Sequence, residues 1–366
     1  RGLEACRINV SGVKEKWRDR LKVTFRVDAS LKIGTGHVMR CLTLAQVLKE
    51  NGANVEFICR LYEGNLIDKI RLNGFNVHEL ESPEGGEVDN KLAHFHWLGE
   101  TQQQDADDCI NILKVEKIDW LIVDNYGLDR DWQRNLKPYY EKLMVIDDLA
   151  DRQFDCNVLL NQNLGIQKEN YKNKVPNNCE LLLGCDYALL RLEFAELREK
   201  ALEKRGKAKT IKNILISMGG SDVNNITYDI LQNIDNSFNI VVVLGKKSPH
   251  NKMLENYAIN KNIEVVIDAN NMAELILDAD LSIGAGGSTS WERCCLGLPT
   301  LLYIAADNQR LIAENLEKMG SVKIVKNLGK DLQVIVNNSS LWKSMSKNAS
   351  TICDGLGANK VAKYLQ

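Results

Sequence analysis

From Leu21 onward, short apolar runs alternate with segments of helical period. Lys22–Val27 reads as a strand, followed by a glycine loop and a helix over about Gly36–Glu50. Asn54–Cys59, Asp119–Val123, Lys142–Ile146 and Cys156–Leu160 extend the strand series. A second series begins near Lys212, with strands expected at Asn213–Ser217, Asn239–Leu244, Ile263–Ile267, Leu281–Ile283, Thr300–Tyr303 and Val322–Val325. Strands that alternate with helices pair in parallel through right-handed crossovers, so the expected fold class is α/β. Between the series, Leu197–Lys212 is densely charged and lacks a strand pattern. It predicts a helix end and an interdomain linker, with a boundary near Gly206. The expectation is an N-terminal extension at 1–21, a Rossmann-like domain at 22–206 and a second at 207–366. The two face a cleft and close over a ligand about the linker. Glu81–Asn90, with Ser82, Pro83, Gly85 and Gly86, predicts a mobile loop. Residues 1–21 show no strand or turn logic; the end of a fused upstream enzyme is one reading of them.

A length of 366 residues suits two domains, each able to bury a core without staples. The 47 Lys and Arg against 49 Asp and Glu leave a net charge of -2, which argues against a nucleic-acid partner held by phosphate neutralisation. The longest apolar runs, such as Ile240–Leu244, fall far short of the roughly 20 residues of a membrane span, so no membrane insertion is expected. The ten cysteines contain no Cys-x-x-Cys pair, which reads as reduced thiols and a cytoplasmic location.

Three glycine loops sit where strands end and helices begin. They are Asp28-Ala-Ser-Leu-Lys-Ile-Gly34-Thr-Gly36-His37, Ser217-Met-Gly219-Gly220-Ser221-Asp222, and Gly284-Ala-Gly286-Gly287-Ser288-Thr289-Ser290-Trp-Glu292. Open α/β sheets bind ligands at the carboxyl ends of their strands. Helix N-termini there favour anions, so three such loops point to a phosphorylated ligand. The competing reading of each loop is a tight strand-to-helix turn. No Walker pattern and no Gly-x-Gly-x-x-Gly fingerprint occurs, which disfavours a Rossmann dehydrogenase; no cofactor is expected.

His37 follows two glycines at a helix start, where the helix end disfavours imidazolium. It serves either as a general base or as a loop cap. Arg40, one turn on, meets a phosphate or a carboxylate, or forms a surface ion pair. Glu292 suits a ribose diol or a solvated helix start. Tyr126 contacts a sugar or packs at an interface. Asn308 holds ligand hydroxyl or phosphate groups or caps a helix. His94 and His96 share a strand face if extended, but no third ligand lies near them, so no metal is expected.

Several segments together carry a resemblance. They include Phe25-Arg-Val-Asp-Ala-Ser30, Ile33-Gly-Thr-Gly-His-Val-Met-Arg-Cys-Leu-Thr-Leu-Ala45, Trp97-Leu-Gly, Val123-Asp-Asn-Tyr-Gly127 and Val145-Ile-Asp-Asp-Leu-Ala-Asp-Arg152. Asn161-Gln-Asn163, Leu183-Gly-Cys-Asp-Tyr-Ala-Leu-Leu-Arg191, Met218-Gly-Gly-Ser-Asp222 and Gly284–Cys294 follow in order. The chain resembles the UDP-2,4-diacetamido-2,4,6-trideoxy-β-L-altropyranose hydrolases of pseudaminic acid biosynthesis, from about Leu21 to the end. The resemblance implies a two-domain fold of the GT-B glycosyltransferase type, a UDP-sugar as the small-molecule substrate, and hydrolysis at the anomeric carbon. It implies His37 as general base and Tyr126 in the sugar site. It places Gly219, Gly220, Gly286, Gly287, Ser288, Thr289 and Glu292 on the nucleotide and Asn308 in the cleft. Gly34, Gly36, Arg40 and Ser221 complete the expected substrate contacts. The pathway makes a nonulosonic acid, with flagellin glycosylation among its outlets. One departure is Asp124-Asn-Tyr where relatives often have Asp-His-Tyr, which removes a second cleft histidine. The rivals are a GT-B UDP-sugar glycosyltransferase, a UDP-GlcNAc 2-epimerase and a non-catalytic nucleotide-sugar sensor.

Overall fold

The computed structural model describes residues 21–83, 92–220, 222–235, 237–246, 248–306 and 309–366. Residues 1–20, most of the expected 81–90 loop, Ser221 and Asn308 lie outside the described residues.

The first half contains β1 (Lys22–Val27), α1 (Gly36–Glu50), β2 (Asn54–Arg60), α2 (Ile67–Leu72), β3 (Asn76–Leu80) and α3 (Gln102–Leu113). β4 (Ile118–Asp124), α4 (Arg130–Asn135), β5 (Tyr140–Ile146), β6 (Val158–Asn161) and β7 (Glu180–Leu183) follow. α5 (Leu192–Lys207) leads to the second half. There lie β8 (Asn213–Ser217), α6 (Ile226–Gln232), β9 (Asn239–Leu244), α7 (Asn251–Ala258), β10 (Ile263–Ile267), α8 (Met272–Asp278) and β11 (Leu281–Ala285). α9 (Thr289–Cys295), β12 (Thr300–Tyr303), α10 (Arg310–Lys318), β13 (Val322–Ile324), α11 (Leu328–Val336), α12 (Ser339–Ser350) and α13 (Gly357–Tyr364) complete the chain.

Two parallel sheets result. The first runs β3-β2-β1-β4-β5-β6-β7 and the second β10-β9-β8-β11-β12-β13. In each, the order reverses beside the first strand of that half, at β1/β4 and at β8/β11. A crevice opens at such a reversal because the two following loops diverge. The central strands are buried because helices cover both faces: Phe25, Val27, Leu121 and Ile122 are fully buried, and the polar Thr24 and Arg26 of β1 are buried with them. The register pairs Val27 with Asp124, which brings the loops after β1 and β4 side by side. In the second half Ser217 pairs with Gly284, joining two of the glycine loops.

Two strands beyond those expected from the pattern, β3 and β7, flank the first sheet. α5 is one continuous helix through Lys207, so residues 197–207 form no hinge. Its Phe194 and Ala201 pack in a second-half core with Leu215 and Trp291. α13 returns to the first half, where Val361 and Leu365 pack in the core beneath α1. The chain thus crosses between the cores just before α5 and again just before α13. The crossings touch: a Cβ on Gly357 would stand 2.3 Å from the Ala188 carbonyl oxygen.

Candidate active site

The site of the first half is built at the β1/β4 crevice. Thr35 precedes α1 without capping it, and His37 lies in the first helical turn. The imidazole Nδ1 stands 2.7 Å from Asp124 Oδ1, at the last residue of β4. Asp124 is fully shielded, whereas the His37 side chain keeps 11% exposure. A buried carboxylate accepts only, so Nδ1–H donates to it and Nε2 carries the free lone pair. No described residue bonds Nε2.

Arg40, one turn along α1, grips the same carboxylate. Its Nε and one terminal nitrogen each donate to Asp124 at 2.7 Å. Its other terminal nitrogen donates to Asp148 Oδ2 at 2.6 Å. Burial alone would raise the Asp124 carboxyl, but Arg40 and then His37 outweigh it and hold the group well below the usual carboxylate range. Arg40 is itself buried and engaged with two carboxylates.

Tyr126, in the loop after β4, donates its hydroxyl to Asp148 Oδ2. The edges of the His37 and Tyr126 rings meet with centroids 4.7 Å apart. Trp97 stacks on Tyr126 at 5.0 Å, and His94 packs against both. These rings form an aromatic wall beside the imidazole. Asn125 turns away from that wall: its amide donates to Asp28 Oδ2 at 3.1 Å and its oxygen accepts the Gly127 N–H at 2.8 Å. Position 125 therefore shapes the Tyr126 turn. Among the described residues no group of three or more His, Cys, Asp or Glu is placed to hold a metal ion. His94 and His96 stack with each other in a short helical turn.

The second half contributes its own loops. Gly219 has φ +93°, a conformation that excludes a Cβ. At Gly245, the residue after β9, a Cβ would lie 2.0 Å from the Gly220 carbonyl oxygen. Asp222 caps α6 through the Ile226 and Thr227 N–H groups, each at 2.9 Å. Arg293 donates to the Ala285 carbonyl at 2.8 Å and to Ser290, which fixes the loop from Gly286 to Thr289 from below. Ser288 precedes α9 without capping it, so the first N–H groups of that helix have no side-chain partner. The Glu292 side-chain Oε2 is shut off from solvent and has no hydrogen-bond partner among the described residues. Burial pushes its carboxyl from 4.5 up to about 7, against the opposing pull of Arg191 and Arg293.

His37, Arg40 and Tyr126 thus converge, while Gly34 and Gly36 form the turn in front of them. Gly219, Gly220, Gly286, Gly287 and Ser288 lie on the strand-end loops of the other half, and Thr289 and Glu292 lie in the first turn of α9. Sequence reasoning missed Asp124, Asp148, Asn163, His94 and Gly245 as parts of the site. Acidic residues closing β4 and following β5 were its available signal.

The comparisons with known proteins agree with this architecture. Residues 193–352 match the glycosyltransferase family 28 C-terminal domain. The chain is 30% identical over 302 residues to the UDP-2,4-diacetamido-2,4,6-trideoxy-beta-L-altropyranose hydrolase of Campylobacter jejuni, covering 82% of this chain and 97% of that protein. The chain belongs to that hydrolase family. An uncharacterized protein of Methanocaldococcus jannaschii is 31% identical over 301 residues; the match covers 79% of this chain and spans 57% of that relative's length. MurG of Acinetobacter baumannii shares the fold with a TM-score of 0.65 at 13% identity, over 95% of this chain and 99% of that one. The two-sheet architecture is that of the GT-B glycosyltransferases, which this hydrolase family shares. No described helix is long and apolar enough to cross a membrane.

Proposed function

We propose that the chain hydrolyses UDP-2,4-diacetamido-2,4,6-trideoxy-β-L-altropyranose to UDP and free 2,4-diacetamido-2,4,6-trideoxy-L-altrose, as a cytoplasmic step of pseudaminic acid biosynthesis. The observation that carries the reading is His37, with Nδ1 held by a buried carboxylate and Nε2 unclaimed. Nε2 takes a proton from the water that attacks the anomeric carbon. The new C–O bond forms to water oxygen, the anomeric C–O bond to phosphate breaks, and the electron pair leaves with UDP. Asp124 keeps the productive tautomer and faces the imidazolium that forms, as a carboxylate does for any histidine base.

Residues 22–206 carry the catalytic loop in this reading, and 207–366 bind UDP before the last helix returns. The diphosphate lies over Gly287–Thr289 at the start of α9, where the N–H end of the helix stabilises the leaving charge; the Gly286, Ser290 and Trp291 N–H groups are already engaged by backbone carbonyls. Glu292 accepts the ribose hydroxyls, the donors its Oε2 lacks. Gly219, Gly220 and Ser221 enclose the nucleotide, with Asn308 at the cleft. Arg40 acts through Asp124 rather than on substrate. Tyr126 and Gly34–Gly36 face the sugar.

The test is UDP release without acceptor, from this nucleotide sugar and from UDP-GlcNAc in parallel, in heavy-oxygen water. Hydrolysis at carbon places the label in the sugar and none in UDP. A second reading, a UDP-sugar glycosyltransferase, draws on the family 28 match. It predicts bound UDP-sugar with no release until an acceptor is added.

A further inference from the structure

Asp148 lies in the loop after β5, between the imidazole's support and the aromatic wall. Its Oδ2 accepts from Arg40 at 2.6 Å and from the Tyr126 hydroxyl, and its Oδ1 accepts from Asn163 Nδ2 at 3.0 Å. The three donors come from α1, the loop after β4 and the loop after β6. The next residue, Leu164, offers its carbonyl to Asn315 Nδ2 of α10 at 2.8 Å, which ties the same loop to the second half.

A carboxylate only accepts, and a phenol has one proton. The proton of Tyr126 therefore points at Asp148. Burial, and then the Asp148 charge, push the phenol up, so the hydroxyl stays protonated. Trp97 stacked on one ring face and the Arg152 guanidinium 5.6 Å from the centroid restrict the ring. What Tyr126 retains is oxygen lone-pair capacity, suited to a partner that only donates. The acetamido N–H groups of a diacetamido sugar are such partners.

We propose that Asp148 is a positioning residue that fixes Tyr126 as a hydrogen-bond acceptor for an acetamido N–H of the sugar. This rests on the reading above that the substrate is a diacetamido sugar nucleotide. The Asp148 side chain keeps 20% exposure, so it borders the cleft without being sealed in the core.

The experiment is a double-substitution cycle in a His37→Ala background, where turnover is removed and the intact nucleotide sugar can be titrated beside UDP. Asp148→Leu keeps the branched shape but removes both acceptor oxygens, whereas an asparagine could keep its amide oxygen at the place of Oδ2 and still serve Arg40 and the phenol. Asp148→Leu is expected to weaken the diacetamido nucleotide sugar about tenfold, the loss of one hydrogen bond, while UDP affinity stays within about twofold. Tyr126→Phe is expected to cost a similar factor, and the double substitution no more than Tyr126→Phe alone. Unchanged affinity in Asp148→Leu overturns the proposal. So do losses that multiply in full, and so does a parallel loss of UDP, which would mean that Asp148 serves the fold. The hydrolase reading is judged separately by UDP release from the native chain. A protein that binds the nucleotide sugar without hydrolysing it leaves the cycle readable.

Discussion

At the scale of single residues, the charge around His37 is set by partners that are distant in sequence. Asp124 lies 87 positions from His37, and its carboxylate is shared between the imidazole and Arg40. Replacing His37 by Ala removes the proton acceptor together with its contacts to Asp124 and Tyr126. Turnover is expected to fall about 10²–10⁴-fold, the usual contribution of a general base, with UDP affinity retained in calorimetry. Asp124→Asn asks a sharper question. An asparagine amide beside Nδ1 favours the tautomer with the proton on Nε2, which blocks proton uptake. The expected loss in kcat is again about 10²–10⁴-fold, and a drop in KM alone would contradict the orienting role. Glu292 gives a pH signature. Its carboxyl titrates near 7 rather than 4.5, because burial disfavours the charge. A raised acid stabilises the fold fully below its ordinary value, and that contribution is lost as pH rises through about 7. Ribose binding needs the ionised form, so UDP affinity is expected to fall as pH drops below 7. Glu292→Gln should flatten that dependence and raise the melting temperature of the unliganded protein at neutral pH. An unaltered pH dependence in the variant would remove Glu292 from the nucleotide site.

At the scale of elements, strands buried on both faces were legible in the sequence as short, largely apolar runs, although β1 interposes Thr24 and Arg26. β1, β4, β8 and β9 fall where the pattern places them because helices cover both sides. β3 and β7 escaped for the converse reason. Asn76–Leu80 is a half-exposed edge strand that mixes Asn, His and Glu with apolar residues, and Glu180–Leu183 is only four residues long. His37 and Tyr126 were legible because glycine and strand-end context mark loops at the carboxyl edge. Asp124, Asp148 and Asn163 were not, because their convergence follows from the neighbour order β1-β4-β5-β6, which spacing along the chain does not reveal. Gly245 was missed for the same reason: its need for glycine comes from Gly220 on the adjacent strand's loop. Gly245→Ala forces that loop to move, an overpacking cost of about 1–3 kcal/mol. UDP affinity is expected to drop by about tenfold or more, with far-UV circular dichroism unchanged. Full retention of UDP binding would show that the second glycine loop does not touch the nucleotide.

At the scale of the molecule, any closure of the cleft acts at the two crossings between the halves, since α5 is a continuous helix anchored by Phe194 and Ala201 in the second core. The crossings lean on each other through Gly357 and Ala188, and α13 beyond them packs beneath the helix that carries His37. Two separable effects follow. Leu365→Ala empties a fully buried position in the first core, and a loss of about 2–5 kcal/mol is expected in denaturant titrations. Gly357→Val places side-chain carbon where the Ala188 carbonyl stands, so the crossings must part. UDP affinity should persist, because the loops proposed to hold the nucleotide belong to the second half. Turnover should fall, because in the proposed arrangement the imidazole belongs to the first half while the nucleotide that carries the sugar is held by the second, and a misplacement of about 1 Å can cost about 10²-fold. Solution scattering with and without UDP checks the geometry directly. The native chain is expected to contract on binding and the Gly357→Val chain to contract less. Equal contraction with lost turnover would place the defect in local packing around α1 and would dismiss the paired crossings as the joint of closure.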